Sequence, residues 1–277
     1  MAFSRVFYVT KKMWPMVFIS WVAAFLSYMI LFFITGYASL YFAYDFDIQA
    51  YLGFGGVVYL TPITSENWTF DAIVTVLLSK PLAAFFLGLF STFALVMIRC
   101  RNTMWFYFFI WMAIWGFNLS LGGMVDDAIF KVETYAVAEV MNFSLSAIII
   151  SGFVSAYLMY LLGVIISRFY LQYLKGVAFY SEKRKVLSVL LTIVFPWISV
   201  GLISFSSWVP AISAIELSRF ATAAVLILPM FFVKPLATSP VAYTCSKPGW
   251  VDILSVIPLF VFVIWIINAL LNHIVLG

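Results

Sequence analysis

Long apolar runs broken by short polar connections set the pattern of this chain. They predict helices over about 14–44, 72–98, 104–121, 134–166, 186–205, 219–233 and 250–276. A helix rises about 1.5 Å per residue, so about 20 apolar residues cross the roughly 30 Å of bilayer hydrocarbon. Alternating segments of about ten residues, the mark of a membrane β-barrel, do not occur. The fold class expected is all-α: a polytopic transmembrane helical bundle of about seven helices, one integral membrane domain over residues 1–277.

The first run follows a basic start (Arg5, Lys11, Lys12) and is too long for a signal-peptide core, so it is expected to persist as a helix. Trp14-Pro15 suits an interfacial helix start, and Tyr37, Tyr41 and Tyr44 suit an aromatic belt at the far end. After it, YLGFGGVVYL (Tyr51–Leu60) reads as an interfacial or re-entrant segment. Its glycines lack the Lys-Ser/Thr that a phosphate loop requires. Asn67-Trp68-Thr69 matches the glycosylation triplet, which has meaning only in a eukaryotic secretory compartment. The fourth run carries Ser151, Gly152, Ser155, Ala156 and Gly163, small residues at spacings that let helix backbones approach closely in lipid. It is the expected central helix.

Composition places these runs in a membrane. Hydrophobic residues make up 65% and charged residues 9% of the chain, against about 45–50% and about 25% in soluble domains. Mean hydropathy is +1.12. The few charges fix the threading, because Lys and Arg stay cytoplasmic. With the N-terminus inside and the C-terminus outside, inside segments hold Arg5, Lys11, Lys12, Arg99, Arg101, Arg168, Lys175, Lys183, Arg184, Lys185, Lys234 and Lys247. Outside segments hold only Lys131 and Arg219 among the bases, but most acids. This distribution accounts for the net charge of +4 without a nucleic-acid partner. Cys100 and Cys245 both fall inside, where thiols stay reduced. A plasma or inner membrane is the expected location.

Candidate chemistry is sparse. One histidine, His273, and two cysteines do not make a zinc, haem or copper site, so no cofactor, metal or catalytic residue is expected. The densest acidic stretch is the turn GGMVDDAIFKVE, with Asp126, Asp127 and Glu133, expected to be solvated on the outer face. Lys80 and Glu139 lie inside apolar runs at similar outer-leaflet depth, with Asn118 and Asn142 as polar neighbours. A charge in hydrocarbon costs at least about 2.5–3.5 kcal/mol, so these two are expected to pair or to line an aqueous path. The leading expectation is a non-catalytic integral membrane subunit or scaffold that binds membrane lipids and other membrane protein subunits. The alternative is a small permease or ion/proton-coupled carrier using Lys80 and Glu139. Third comes a lipid-modifying enzyme at the acidic turn.

The threading makes a direct prediction. A membrane-impermeant thiol reagent should modify Cys100 and Cys245 only after the cytoplasmic face is opened. Labelling of either in sealed cells contradicts an N-inside, seven-helix chain.

Overall fold

The structure, a computed structural model, describes residues 2–53, 56–98, 102–131, 133–176, 182–208, 214–234, 254, 257–271 and 274–276. Cys100, Cys245 and His273 lie outside the described residues. The chain is mostly helical. Among the described residues five helices are long and apolar enough to cross a membrane: Met13–Asp45, Phe70–Ile98, Thr103–Phe130, Leu145–Lys175 and Arg184–Leu202. Two shorter apolar helices, Leu217–Phe232 and Ile257–Asn268, coincide with the sixth and seventh runs.

Helix α1 (Ala2–Asp45) starts well before Trp14, so Pro15 sits inside it rather than in its first turn. The connection that follows is a β-hairpin, not a re-entrant segment: β1 (Ala50–Gly53) pairs antiparallel with β2 (Gly56–Tyr59). Gly56 opens β2 at φ +107°, a backbone that glycine adopts without strain, while the flanking Tyr and Val residues favour pleated backbone. A third strand, β3 (Ile274–Leu276), pairs with the other edge of β1 and gives the order β2-β1-β3. Residues 274–276 therefore lie beside the first connection. Leu52 is buried against α1, where a Cβ at Gly36 would come within 2.6 Å of its Cδ1.

Helix α2 (Phe70–Ile98) leads to α3 (Thr103–Phe117), whose start is capped by Asn102: its Oδ1 accepts from Met104 N (2.9 Å) and Trp105 N (3.2 Å). This side chain satisfies two of the open amides at a helix start. α3 does not stop at Leu121. A π-helical turn, Asn118–Gly122, carries it into α4 (Gly123–Phe130), and Lys131, at φ 57°, ends it. Met124, Val125, Ile129 and Phe130 extend the apolar spacing past the Gly pair. Helix geometry thus wins over the polar residues, and Asp126 and Asp127 become buried helical positions rather than an exposed turn.

The fourth run is also divided. α5 (Glu133–Val140) ends in a turn in which Asn142 adopts φ 57°, a left-handed conformation that Asn tolerates. Ser144 then caps α6 (Leu145–Gly176), its Oγ accepting from Ala147 N at 3.2 Å. Gly152, Ser155 and Gly163 face the bundle, with Ala156 half-buried at the margin of that face. A Cβ at Gly163 would come within 2.5 Å of Leu226 O, and one at Gly152 within 2.9 Å of Ala128 Cβ. Ser151 is on the exposed side and donates to Ile148 O within its own helix (2.7 Å).

The remaining elements close around these. α7 (Glu182–Val189), a second π turn (Leu190–Val194) and α8 (Phe195–Trp208) form one run; α9 (Ala214–Ile227), α10 (Pro229–Phe232) and α11 (Ile257–Leu271) follow. The central helix is α3, not the fourth run: every residue from Thr103 to Phe117 is buried except Trp105 and Phe109. α2 crosses it so closely that a Cβ at Gly116 would come within 2.7 Å of Ala84 O.

Gly116→Leu and Gly163→Leu should each cost at least the about 1–3 kcal/mol typical of overpacking, because backbone lies in the way. Ser151→Leu should be near neutral. Thermal unfolding in detergent separates them, and equal behaviour would mean that these crossings are not tight.

Candidate functional site: a buried polar face on the central helix

Helix α3 is apolar in composition yet carries polar atoms at Thr103, Tyr107, Trp111, Trp115 and Asn118, spaced by four, four, four and three residues. That spacing places them on one face. In a regular helix Asp126, eight residues past Asn118, would stand about 80° round from it, at the margin of this face. The extra residue accommodated by the π turn rotates later side chains back by about 100°, and Asp126 rejoins the face.

The partners come from four other segments. At the start of α3, Tyr173 OH of α6 donates to Thr103 Oγ1 (3.1 Å). Next, Tyr170 OH and Thr192 Oγ1 share a hydrogen bond of 2.7 Å, and Tyr107 OH lies near Thr192 without a bond of normal geometry. Trp111 Nε1 donates to Ser20 Oγ (2.9 Å), which in turn donates to Thr192 O. That carbonyl is free for Ser20 because the residue four positions on, Pro196, has no N–H to occupy it. Trp115 Nε1 donates to Ala24 O at 3.2 Å.

The Asp126 end is charged. Asn118 Nδ2 donates to Arg219 O (2.7 Å), and Asn118 Oδ1 accepts from Thr222 Oγ1 (2.9 Å). Gly122 leaves the room for this, since a Cβ there would come within 2.9 Å of Thr222 Oγ1. Asp126 is fully buried; its Oδ1 accepts from Ser218 Oγ (2.6 Å), and its Oδ2 lies 3.9 Å from Arg219 Nε. Asp127 accepts from Thr134 N (3.0 Å) and from the Thr134 hydroxyl. Lys80, Ser120, Asp127, Thr134 and Arg219 converge on one small cavity of about 10 Å³, the room one water needs. Formal charges in this cluster cancel: Lys80 and Arg219 against Asp126 and Asp127.

Lys80 therefore has Asp127 as its acidic neighbour in the cavity. Glu139, expected as its partner, is exposed near the end of α5 and does not line that cavity, and Asn142 is exposed in the turn beyond. The side chain of Glu133 is outside the described residues. The cause is the extension of α4, which carries Asp127 to the place where Glu139 was expected. Arg219, Ser218 and Thr222 were not singled out from sequence. A signal existed: Arg219 is one of only two bases assigned to the acidic outer side, where a buried acid would retain it. Among the described residues no three His, Cys, Asp or Glu side chains converge as metal ligands.

Asp126→Asn should lower stability by about 1–3 kcal/mol by leaving Arg219 facing a neutral amide. Adding Arg219→Met should restore part of that loss, whereas Glu139→Gln should stay within about 0.5 kcal/mol. Thermal unfolding of the three variants is the check, and a loss for Glu139→Gln equal to that for Asp126→Asn would contradict this placement of the charges. No protein-family model, curated protein or solved structure matches the chain, which leaves its own geometry to carry the functional reading.

Proposed function

We propose that this chain is a non-catalytic integral membrane subunit or scaffold that binds lipids and other membrane protein subunits through its flanks. The observation that carries this is a division of labour between helices. Polar and charged groups are turned into α3 and engage one another, with room beside them for about one water. The spans formed by α2 and α6 have only 33% and 28% of their apolar windows buried. Phe86, Phe90, Phe93 and Met97 of α2, and Phe153, Val154, Tyr157 and Leu158 of α6, point outward.

The N-inside, C-outside threading through seven helices in a plasma or inner membrane belongs to the same proposal. The pairing of β3 with β1 supports an odd number of crossings. Lys185, buried, donates to Val233 O, which supports one side for the 183–185 basic segment and Lys234. A second reading, a small permease or ion/proton-coupled carrier, draws on the charged cavity at Lys80. The lipid-modifying enzyme loses its exposed acidic turn, because Asp126 and Asp127 are buried and hold different partners.

A photo-crosslinking amino acid placed at Phe93 or Phe153 should yield a discrete protein adduct from at least one position in intact membranes. Lipid adducts alone at both positions, together with solute uptake by reconstituted protein that Lys80→Met abolishes, would replace the subunit reading with the carrier.

A further inference from the structure

Going beyond the subunit reading, we propose that the polar face of α3 is a proton path closed at mid-membrane by the stacked indoles of Trp111 and Trp115. Asp126 and Tyr107 are 19 residues apart, about 28 Å of helix, close to the hydrocarbon thickness. The face between them divides into an outer leg, an aromatic plug and an inner leg.

The outer leg comprises two bonded pairs, Ser218 with Asp126 (2.6 Å) and Thr222 with Asn118 (2.9 Å), one helical turn apart on α9. The charged group facing Asp126 is Arg219 from α9; Lys80 of α2 and Asp127 line the neighbouring cavity with that same arginine. The inner leg is lined by hydroxyls in two separate bonded pairs, Tyr170 with Thr192 and Tyr173 with Thr103. Tyr107 lies against Tyr173, Ser20 donates to the Thr192 backbone carbonyl, and in the proposed path water bridges the gaps between them. A hydroxyl both accepts and donates, and a carboxyl group accepts when ionised and donates when protonated, whereas an indole only donates. Trp111 and Trp115 have already given their N–H to Ser20 and Ala24, so they interrupt the chain. Their rings stack at 5.6 Å, walled by Tyr28 and Phe220 at 5.5 and 5.9 Å from Trp115.

A purely structural seam would leave no buried polar atom unsatisfied, since each costs about 1–3 kcal/mol. This face leaves several. Asp126 Oδ2 in the outer leg, and Tyr107 OH and Ser188 Oγ in the inner leg, are buried and accept or donate no hydrogen bond among the described residues. Water in each leg satisfies such atoms, and a cavity of about 10 Å³ beside the outer leg matches one water rather than a larger solute. The transferred species is a proton alone: Asp126 takes it up at Oδ2 and releases it, and every group returns to its starting state without redox change.

The test is proton flux into proteoliposomes carrying an internal pH dye under a valinomycin-set potassium potential. Wild-type protein and the outward-facing Leu202→Ala control should be tight. Trp115→Ala, or Phe220→Ala as a second way to open the plug, should raise flux at least tenfold, and adding Asp126→Asn should return it to baseline. Tight liposomes from a monodisperse Trp115→Ala or Phe220→Ala protein, or a leak unaffected by Asp126→Asn, overturn the proposal. Radiolytic hydroxyl footprinting of the unmodified protein needs no variant to fold. Oxidation of buried Tyr107 or Tyr170 is expected from water in the inner leg, and full protection of both overturns it.

Discussion

Bilayer hydrocarbon offers no hydrogen-bond partners, so the polar atoms that α3 carries into it seek other parts of the protein or trapped water. That requirement organises the bundle. Thr103 draws in α6 through Tyr173, Trp111 and Trp115 hold α1 through Ser20 and Ala24, and Asn118 and Asp126 hold α9. Apolar packing alone gives weak preference among helices in lipid, because lipid tails are as apolar as leucine. The polar stripe supplies the preference, and it explains why the most aromatic run of the chain became its centre.

The two π turns are the local devices that make the stripe work. The first keeps Asp126 on the same face as Asn118 by absorbing one residue. The second, ahead of Pro196, exposes Thr192 O to Ser20 and holds Thr192 Oγ1 against Tyr170. The first sits among tight neighbours: Gly122 admits Thr222, Gly116 admits α2, and Gly163 admits α9. Packing and hydrogen bonding are thus not separable here, since a bulkier residue at any of these glycines would move a polar partner out of reach.

Much of this was legible in the pattern of the chain, and the failures have physical causes. The long apolar runs mark real helices, and Gly152, Ser155 and Gly163 do lie on the packed face of α6. The acidic turn misled because GGMVDD reads as a break, whereas Met124, Val125, Ile129 and Phe130 keep helical spacing through it. Asn142 misled in the opposite sense: an Asn within an apolar stretch reads as a polar helix position, and the left-handed turn it makes depends on α5 folding back beside α4. Depth along the run pointed to Glu139 as the partner of Lys80, but depth says nothing about facing. The hairpin at Tyr51–Leu60 was masked by its glycines, and its third strand comes from the other end of the chain, a pairing no local pattern reveals.

The central claim is that the α3 polar face holds the bundle together, and its consequence is an order of opening. Amides open in proportion to how firmly their segment is held. Hydrogen–deuterium exchange of the reconstituted protein, read segment by segment, measures that order. The account predicts that residues 104–117 exchange last and that α11, which packs mainly along α1 through Phe262 and Trp265, exchanges well before them. If α11 or α6 outlasts α3, the polar face is not what the structure depends on.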